Sequence, residues 1–257
     1  MSDIMTCMPF GQLMEWVLQE KSGKDTVFGV HRPYTVNADH NLTIFERTLE
    51  TPVGPAAGPH TQLAQNIIAS YYAGARFFEL KTVQKMDGAE LSACVNKPCI
   101  LADDEGYNCE WSTELTVPDA MSEYIKAWFI LHVMAKEFDL GAQDGFQFNI
   151  SVGYDLEGIK GDKVNTFIDG MMEAKDTAIF QECKKWLLDN ADRFHNFTRE
   201  DIEAIPSDVC NSATISTLHG CPPQEIESIA NYLLTEKHLN TFVKCNPTLL
   251  GYDFARK

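Results

Sequence analysis

Thr51-Pro-Val-Gly-Pro-Ala-Ala-Gly-Pro59, a helical run from Gln62 to Ala73, and Arg76-Phe-Phe-Glu-Leu-Lys-Thr-Val83 follow one another directly, and their order decides the fold. The first is too rich in Pro and Gly for a central strand and reads as a short strand spilling into a backbone-lined loop. The second sets Leu63, Ile67, Ile68, Tyr71 and Tyr72 at helical spacing and stops at Gly74. The third is a β-prone run. Strand, helix, strand in this order marks parallel α/β architecture.

Downstream the alternation recurs. A helix from Asp119 to Phe138, opened by Pro118-Asp119, leads to the strand Phe146-Gln-Phe-Asn-Ile-Ser-Val152. Helices near Lys163 to Met172 and Thr177 to Asn190 then run through an acidic, Pro-containing link to the β-branched strand Cys210 to Thr217. Pro222 to Lys237 is a helix with Pro at its favoured early position, and Thr241-Phe-Val-Lys-Cys245 is a short strand. That makes five strand candidates, with polar and glycine-bearing segments at their carboxyl ends, where barrels and open α/β sheets keep their sites. Upstream, Ile4 to Lys21 reads as a separate helix closed by Ser22-Gly23. Gln84 to Val117 is the longest irregular stretch, long enough for a lid or an insertion.

The chain has 257 residues, 44% of them apolar, enough to bury a core, and a formal charge of −16 that disfavours nucleic acid as a partner. No charge-free apolar run could span a bilayer, and no basic leader precedes one, so no membrane partner and a cytoplasmic location are expected. Eight scattered cysteines read as reduced thiols. None are spaced Cys-x-x-Cys, so any iron–sulfur cluster belongs on other polypeptide.

Lys81 and Lys244 end apolar strands, where an ammonium is costly unless an anion or strong acceptors face it. Each could simply reach water, or pair with a carboxylate such as Glu79. Their combination with the small-residue loop Gly54 to Gly58 suits a flavin, which needs cationic donors near its N1/O2 edge and close backbone along its ring. His60, His219 and His132 read as structural histidines, and Cys94, Cys99 and Cys109 as ordinary thiols. A metal-dependent hydrolase is disfavoured, because no His-x-His or acidic pair lies at the strand ends.

Thr51 to Thr61, Glu79-Leu-Lys-Thr-Val-Gln84, Ser151-Val-Gly-Tyr-Asp-Leu-Glu-Gly-Ile159, Ser216-Thr-Leu-His-Gly-Cys-Pro-Pro223 and Phe242 to Tyr252 together resemble the N-terminal part of YgfK-type proteins, a group assigned as selenate reductase subunits. That group is similar to the FMN barrels of dihydropyrimidine and dihydroorotate dehydrogenases. The resemblance implies a TIM (β/α)8-type barrel over residues 49–257 behind an N-terminal helical extension, 1–48. It further implies that Ala57 and Gly58 lie against FMN, that Lys81 and Thr82 reach its ring and ribityl edge, and that Lys244 contacts N1/O2. Asp155 and Asn246 would face the substrate, and Asp155 stands where relatives carry Asn, which changes the donor pattern a substrate must offer. Cys221, before Pro222 and a Pro-started helix, would be the acid that protonates a ring carbon as hydride passes to or from the flavin. Its place at a positive helix end suits that task.

About five βα units are spent by Cys245, and the phosphate-binding loops that follow the seventh and eighth strands of such barrels are not among them. The barrel is therefore expected to be incomplete, finished by a second chain or a further C-terminal region. The same region or partner is expected to carry iron–sulfur clusters, FAD and the NAD(P)H site. The expected activity is that of a flavoprotein oxidoreductase acting on a small molecule, either a nitrogen heterocycle of the kind met in purine and pyrimidine catabolism or selenate. The alternative is a non-catalytic fragment that needs a partner chain.

Overall fold

A computed structural model describes residues 6–34, 36, 41–94, 115–216, 221–245 and 251–257. Helix α1 (Phe10–Lys24) starts after Pro9 and ends at Asp25, whose φ is 54°, so it begins later than the sequence suggested and runs through Ser22-Gly23. The antiparallel pair β1 (Leu42–Ile44) and β2 (Arg47–Leu49) follows, an unexpected hairpin in the segment read as a helical extension. Next come α2 (Ala64–Tyr72), β3 (Phe77–Glu79), α3 (Gly88–Cys94), α4 (Val117–Glu137) and β4 (Gln147–Val152). The helices α5 (Leu156–Lys160), α6 (Asp162–Met172), α7 (Ala178–Asp189) and α8 (Arg199–Ala204) precede β5 (Cys210–Ile215). The chain continues through α9 (Pro223–Asn231), which passes into a π-helical turn, then β6 (Asn240–Val243) and α10 (Tyr252–Ala255).

Caps explain several boundaries. Thr116 accepts from Asp119 N–H and starts α4 two residues before the predicted Asp119, with Pro118 in the first turn. The link after α7, expected to be irregular, holds α8 because Thr198 and Asp201 form a reciprocal capping box. Part of the expected irregular stretch after Gln84 is likewise helical, as α3; Cys99 and Cys109 fall outside the described residues.

β3, β4, β5 and β6 form one parallel sheet in sequential order, with α4, α5 to α8, and α9 as the crossovers. Four strands stand in this sheet instead of the predicted five. The difference is Thr51 to Pro59, which lies along β3 without being a strand. Val53 O accepts from Arg76 N–H at 2.9 Å and Pro55 O accepts from Glu79 N–H at 3.2 Å, but Pro52, Pro55 and Pro59 have no N–H to return.

Alternation along the strands separates two faces. Phe78, Phe148, Ile150, Val152, Ala213 and Ile215 join the helical layer, in which Trp128 of α4 meets Phe146 and Phe148 at ring distances of 5.1 and 5.3 Å. α4 is buried along most of its length, so its apolar content belongs to this core, and no described helix is long and apolar enough to cross a membrane. The opposite face carries Phe77, Glu79, Lys81, Gln147, Asn149, Ser151, Ser212 and Thr214. Four strands in a flat sheet would put the two edges about 14 Å apart. Yet the Phe77 and Phe242 rings, from edge strands β3 and β6, lie 6.0 Å apart. The sheet is therefore rolled, with the polar face inside. The hairpin seals the amino-terminal end of the roll: Phe45 packs on Phe242, its carbonyl accepts from Asn211, and Ile44 O accepts from Gln147.

Arg76, at the entrance to β3, is buried and donates to Glu50 at 2.8 Å, to Tyr71 O at 2.9 Å and to Leu140 O at 2.7 Å. Arg76→Met leaves Glu50 charged and unpaired in the core and is expected to lower stability by about 3–5 kcal/mol in urea unfolding. Adding Glu50→Gln should recover part of that loss.

His132 is buried between Trp128 and Phe146, and burial, reinforced by Arg47, pushes its imidazole down to about 3. An unfolded imidazole titrates near 6.5, so between these values the unfolded chain takes up a proton that the folded one refuses, and stability falls as pH drops. From pH 6.5 to 5 the wild type should lose about 2 kcal/mol more than His132→Phe, measured by urea titration at each pH.

Candidate active site

The carboxyl ends of the rolled strands gather the polar side chains. β3 presents Phe77 and Glu79 on one face by its two-residue period, and Lys81 follows just past its end. Lys81 is 2% exposed, and its carbonyl accepts from Tyr124 Oη at 3.2 Å. Backbone pairing continues past β3, with Leu80 N–H on Asn149 O and Val83 N–H on Ser151 O, so Lys81 and Thr82 are held as rigidly as strand residues. Thr82 Oγ1 lies 2.9 Å from Ser151 Oγ.

Glu79 links three segments. Its Oε2 accepts from Ala57 N–H at 3.1 Å, and Lys244 Nζ, just past β6, lies 3.3 and 3.5 Å from its two oxygens. The small-residue loop, β3 and the far edge strand thus converge on one carboxylate. Gly54 makes this approach possible: a Cβ there would stand 1.5 Å from Phe77 O. Gly58 is buried against His60, with a Cβ position 2.5 Å from that ring, and exchanges hydrogen bonds with Thr61.

The face beneath is polar and incompletely satisfied. Asn149 Nδ2 donates to Thr214 Oγ1 at 2.7 Å, while Asn149 Oδ1, Gln147 Oε1 and Ser212 Oγ are buried without a hydrogen-bond partner. Buried acceptors left unpaired cost about 1–3 kcal/mol each, so this face is chemically suited to a ligand or waters that donate hydrogen bonds.

Cys221 comes to the same end from the β5–α9 connection and donates its thiol hydrogen to Tyr154 O at 3.8 Å. Tyr154 has φ 92°, a left-handed conformation unusual for a bulky residue. Glu225, in the first turn of α9, accepts from Leu156 N–H at 2.7 Å and ties α9 to the start of α5. Asp155 is the N-cap of α5, its Oδ1 accepting from Gly158 N–H at 2.7 Å. Asn246 and His219 lie outside the described residues.

Ala57, Lys244 and, two residues from Glu79, Lys81 are thus brought together, and Thr82 is joined to the β4 end. Cys221 and Asp155 meet the β4–α5 turn. Sequence reasoning named Glu79 only as a carboxylate with which either lysine could pair, which Lys244 does, and passed over Asn149 and Tyr154. The same-face spacing of Phe77, Glu79 and Lys81 was the available signal for the first, and a positive φ at a Tyr has none. A cleft of about 790 Å³ is lined by Val53, Gly54 and Pro55 of the small-residue loop, and one of about 550 Å³ lies near Arg47 and His132.

Polar groups at the carboxyl ends of a rolled parallel βα sheet make the scaffold that of a TIM-barrel enzyme. The family model described as "Oxidoreductase YgfK, N-terminal TIM-barrel domain" matches residues 28–257, and the chain belongs to that family. Two relatives carrying the name "Putative oxidoreductase YgfK", from Escherichia coli strain K12 and Escherichia coli O157:H7, are each 46% identical over 271 residues. The match covers 100% of this chain and 26% of each relative, so the chain spans about a quarter of the length of those curated relatives.

Because the loop lies on β3 through Gly54, Gly54→Ala should push residues 54–58 off the strand. Loss of more than about 3 kcal/mol of stability, or failure to fold, is the expected result of thermal and urea unfolding.

Proposed function

We propose that this chain forms the ring-binding part of an FMN-dependent oxidoreductase. The observation that carries the proposal is the convergence of Ala57 N–H and Lys244 on Glu79, with Lys81 next along the same buried face. A cationic donor beside close backbone suits the acceptor edge of an isoalloxazine, and the unpaired acceptors of Asn149 and Ser212 suit donating groups. In this reading Ala57 and Gly58 give the ring a close backbone, Lys81 and Thr82 hold its ring and ribityl side, and Lys244 faces N1/O2. FMN bound there would supply two-electron hydride chemistry.

Cys221 is the proposed general acid. A carbon–carbon double bond that gains a hydride at one carbon needs a proton at the other, and the thiol can give that proton and regain it from solvent. This chemistry favours an unsaturated nitrogen heterocycle, of purine or pyrimidine type, over selenate, for which a proton donor to carbon has no task. Asp155 and Asn246 are the proposed substrate contacts, Asp155 through whatever capacity its cap of α5 leaves. Iron–sulfur clusters, FAD and the NAD(P)H site are assigned to the rest of the polypeptide or to a partner chain, as is the phosphate-holding part of the barrel.

The purified full gene product should be yellow, with the visible absorbance of oxidised flavin, and release FMN on denaturation. Cys221→Ala should keep the flavin and lose about 10²–10⁴-fold in turnover of a dihydro-heterocycle or its oxidised partner. A full gene product that neither retains nor binds FMN would falsify the proposal.

A second reading has its own support. Val53 at 64% and Val243 at 44% exposure lie at the two flanks of the roll, and the matched region is only a quarter of each relative. This chain on its own is then a fragment that becomes competent when a further segment or chain covers those flanks. The mass of the native gene product separates the two cases.

A further inference from the structure

Glu79 stands at the centre of the strand-end cluster, yet the flavin reading gives it no task of its own. Its side chain is 14% exposed; Lys244 Nζ lies near both of its oxygens, and Oε2 also accepts from the Ala57 N–H. Those groups come from opposite flanks of the roll: Ala57 from the loop beside β3, Lys244 from beyond β6. Glu79 N–H is itself anchored on Pro55 O at 3.2 Å. The carboxylate therefore sits where it fixes the direction of both donors while opposing the lysine's charge.

Charge at this spot has a consequence for any ring that gains negative charge on reduction. A lone Lys244 would favour the reduced form. A lone carboxylate would disfavour it, and a Lys–Glu pair at 3.3 Å nearly cancels as seen from the ring. In a site partly shielded from water, an uncompensated unit charge several ångströms away is worth about tenfold or more in relative affinity.

We propose that Glu79 is a positioning residue that sets the redox poise of the bound flavin, holding Lys244 at the ring edge, anchoring the Ala57 backbone beside it, and offsetting the lysine's charge. The proposal rests on the FMN reading above and adds to it the group that tunes the cofactor. Neutralising Glu79 shifts the preference toward reduced FMN, neutralising Lys244 shifts it toward oxidised FMN, and neutralising both restores the starting balance.

The test uses the full gene product, freed of flavin and reloaded with FMN. Affinity for oxidised FMN is read by fluorescence quenching, and the midpoint potential by dithionite titration against a reference dye. Glu79→Gln should favour reduced over oxidised FMN by about tenfold, a rise of about 30 mV for a two-electron couple. Lys244→Gln should move it the other way by a similar factor. The double variant should return to within about threefold of wild type, which loss of a mere strut would not produce. Glu79→Asp, which keeps the charge, should stay within the same threefold and serves if Glu79→Gln does not fold. A Glu79→Gln poise within about twofold of wild type, a double variant that simply matches Lys244→Gln, or a tenfold shift in Glu79→Asp each overturns the assignment. A wild-type protein that binds no FMN overturns the underlying flavin reading, and this one with it, before any variant is compared.

Discussion

The buried pair between Arg76 and Glu50 is the constraint on which the arrangement of the site depends. Taking two charges out of water costs several kcal/mol per ion unless every donor and acceptor is matched. Here the matching is nearly complete: Arg76 also donates to Tyr71 O, Ala75 O and Leu140 O and stacks on the Tyr71 ring at 4.0 Å, while Glu50 accepts a second bond from Ala142 N–H at 2.6 Å. One guanidinium thereby joins the exit of the hairpin, the end of α2, the α4–β4 connection and the first step of β3. Because a strand alternates strictly, fixing Arg76 also fixes which of the following residues face inward. Phe77 and Glu79 do. A slip of one residue would turn Glu79 into the helical layer, away from Ala57 and Lys244.

Rolling of the sheet is the second requirement. Phe77 meeting Phe242 near the amino-terminal end and Glu79 meeting Lys244 near the carboxyl end are two levels of the same closure, one apolar and one ionic. Between them lies a level of Asn149, Thr214 and Ser212 in place of the branched aliphatics that usually fill a barrel. An apolar filling would be more stable. A polar one prepares hydrogen-bonding groups close to the strand ends, where TIM-barrel enzymes keep their sites.

Much of this was legible from residue order. The parallel βα alternation, the strands over Phe146 to Val152 and Cys210 to Thr217, and the α7 and α9 helices follow from periodicity and Pro placement. The hairpin was missed because Leu42–Ile44 and Arg47–Leu49 are three-residue strands joined through Phe45 and Glu46, both with positive φ, and neither is a turn former by type. α8 was missed because six residues carry too little periodicity, although Thr198 and Asp201 stood at capping-box spacing. The loop over Thr51 to Pro59 was half read: its Pro content excluded a two-sided ladder, but only the position of Gly54 against Phe77 O shows that it still lies flush on the sheet. In the site, the lysines could be picked out because a charge at an apolar strand end is conspicuous. A carboxylate partner such as Glu79 was open to either lysine, but which lysine takes it was not legible, since 165 residues separate Glu79 from Lys244 and only the roll of the sheet brings them together.

The two flanks of the roll bear on the site. Val53 and Val243 expose apolar side chains there, and a parallel sheet is normally covered at its faces and closed or capped at its edges. Pro52 and Pro55 have no N–H to offer a neighbouring strand, so whatever lies against that flank meets carbonyl acceptors and apolar surface, not a full ladder. Covering the flanks would also withdraw the Glu79–Lys244 contact from water, and an ion pair strengthens as the surrounding dielectric falls. The strand-end cluster and the exposed flanks are therefore coupled: whatever covers the flanks also sets how strongly Glu79 and Lys244 act on each other and on any charge placed beside them.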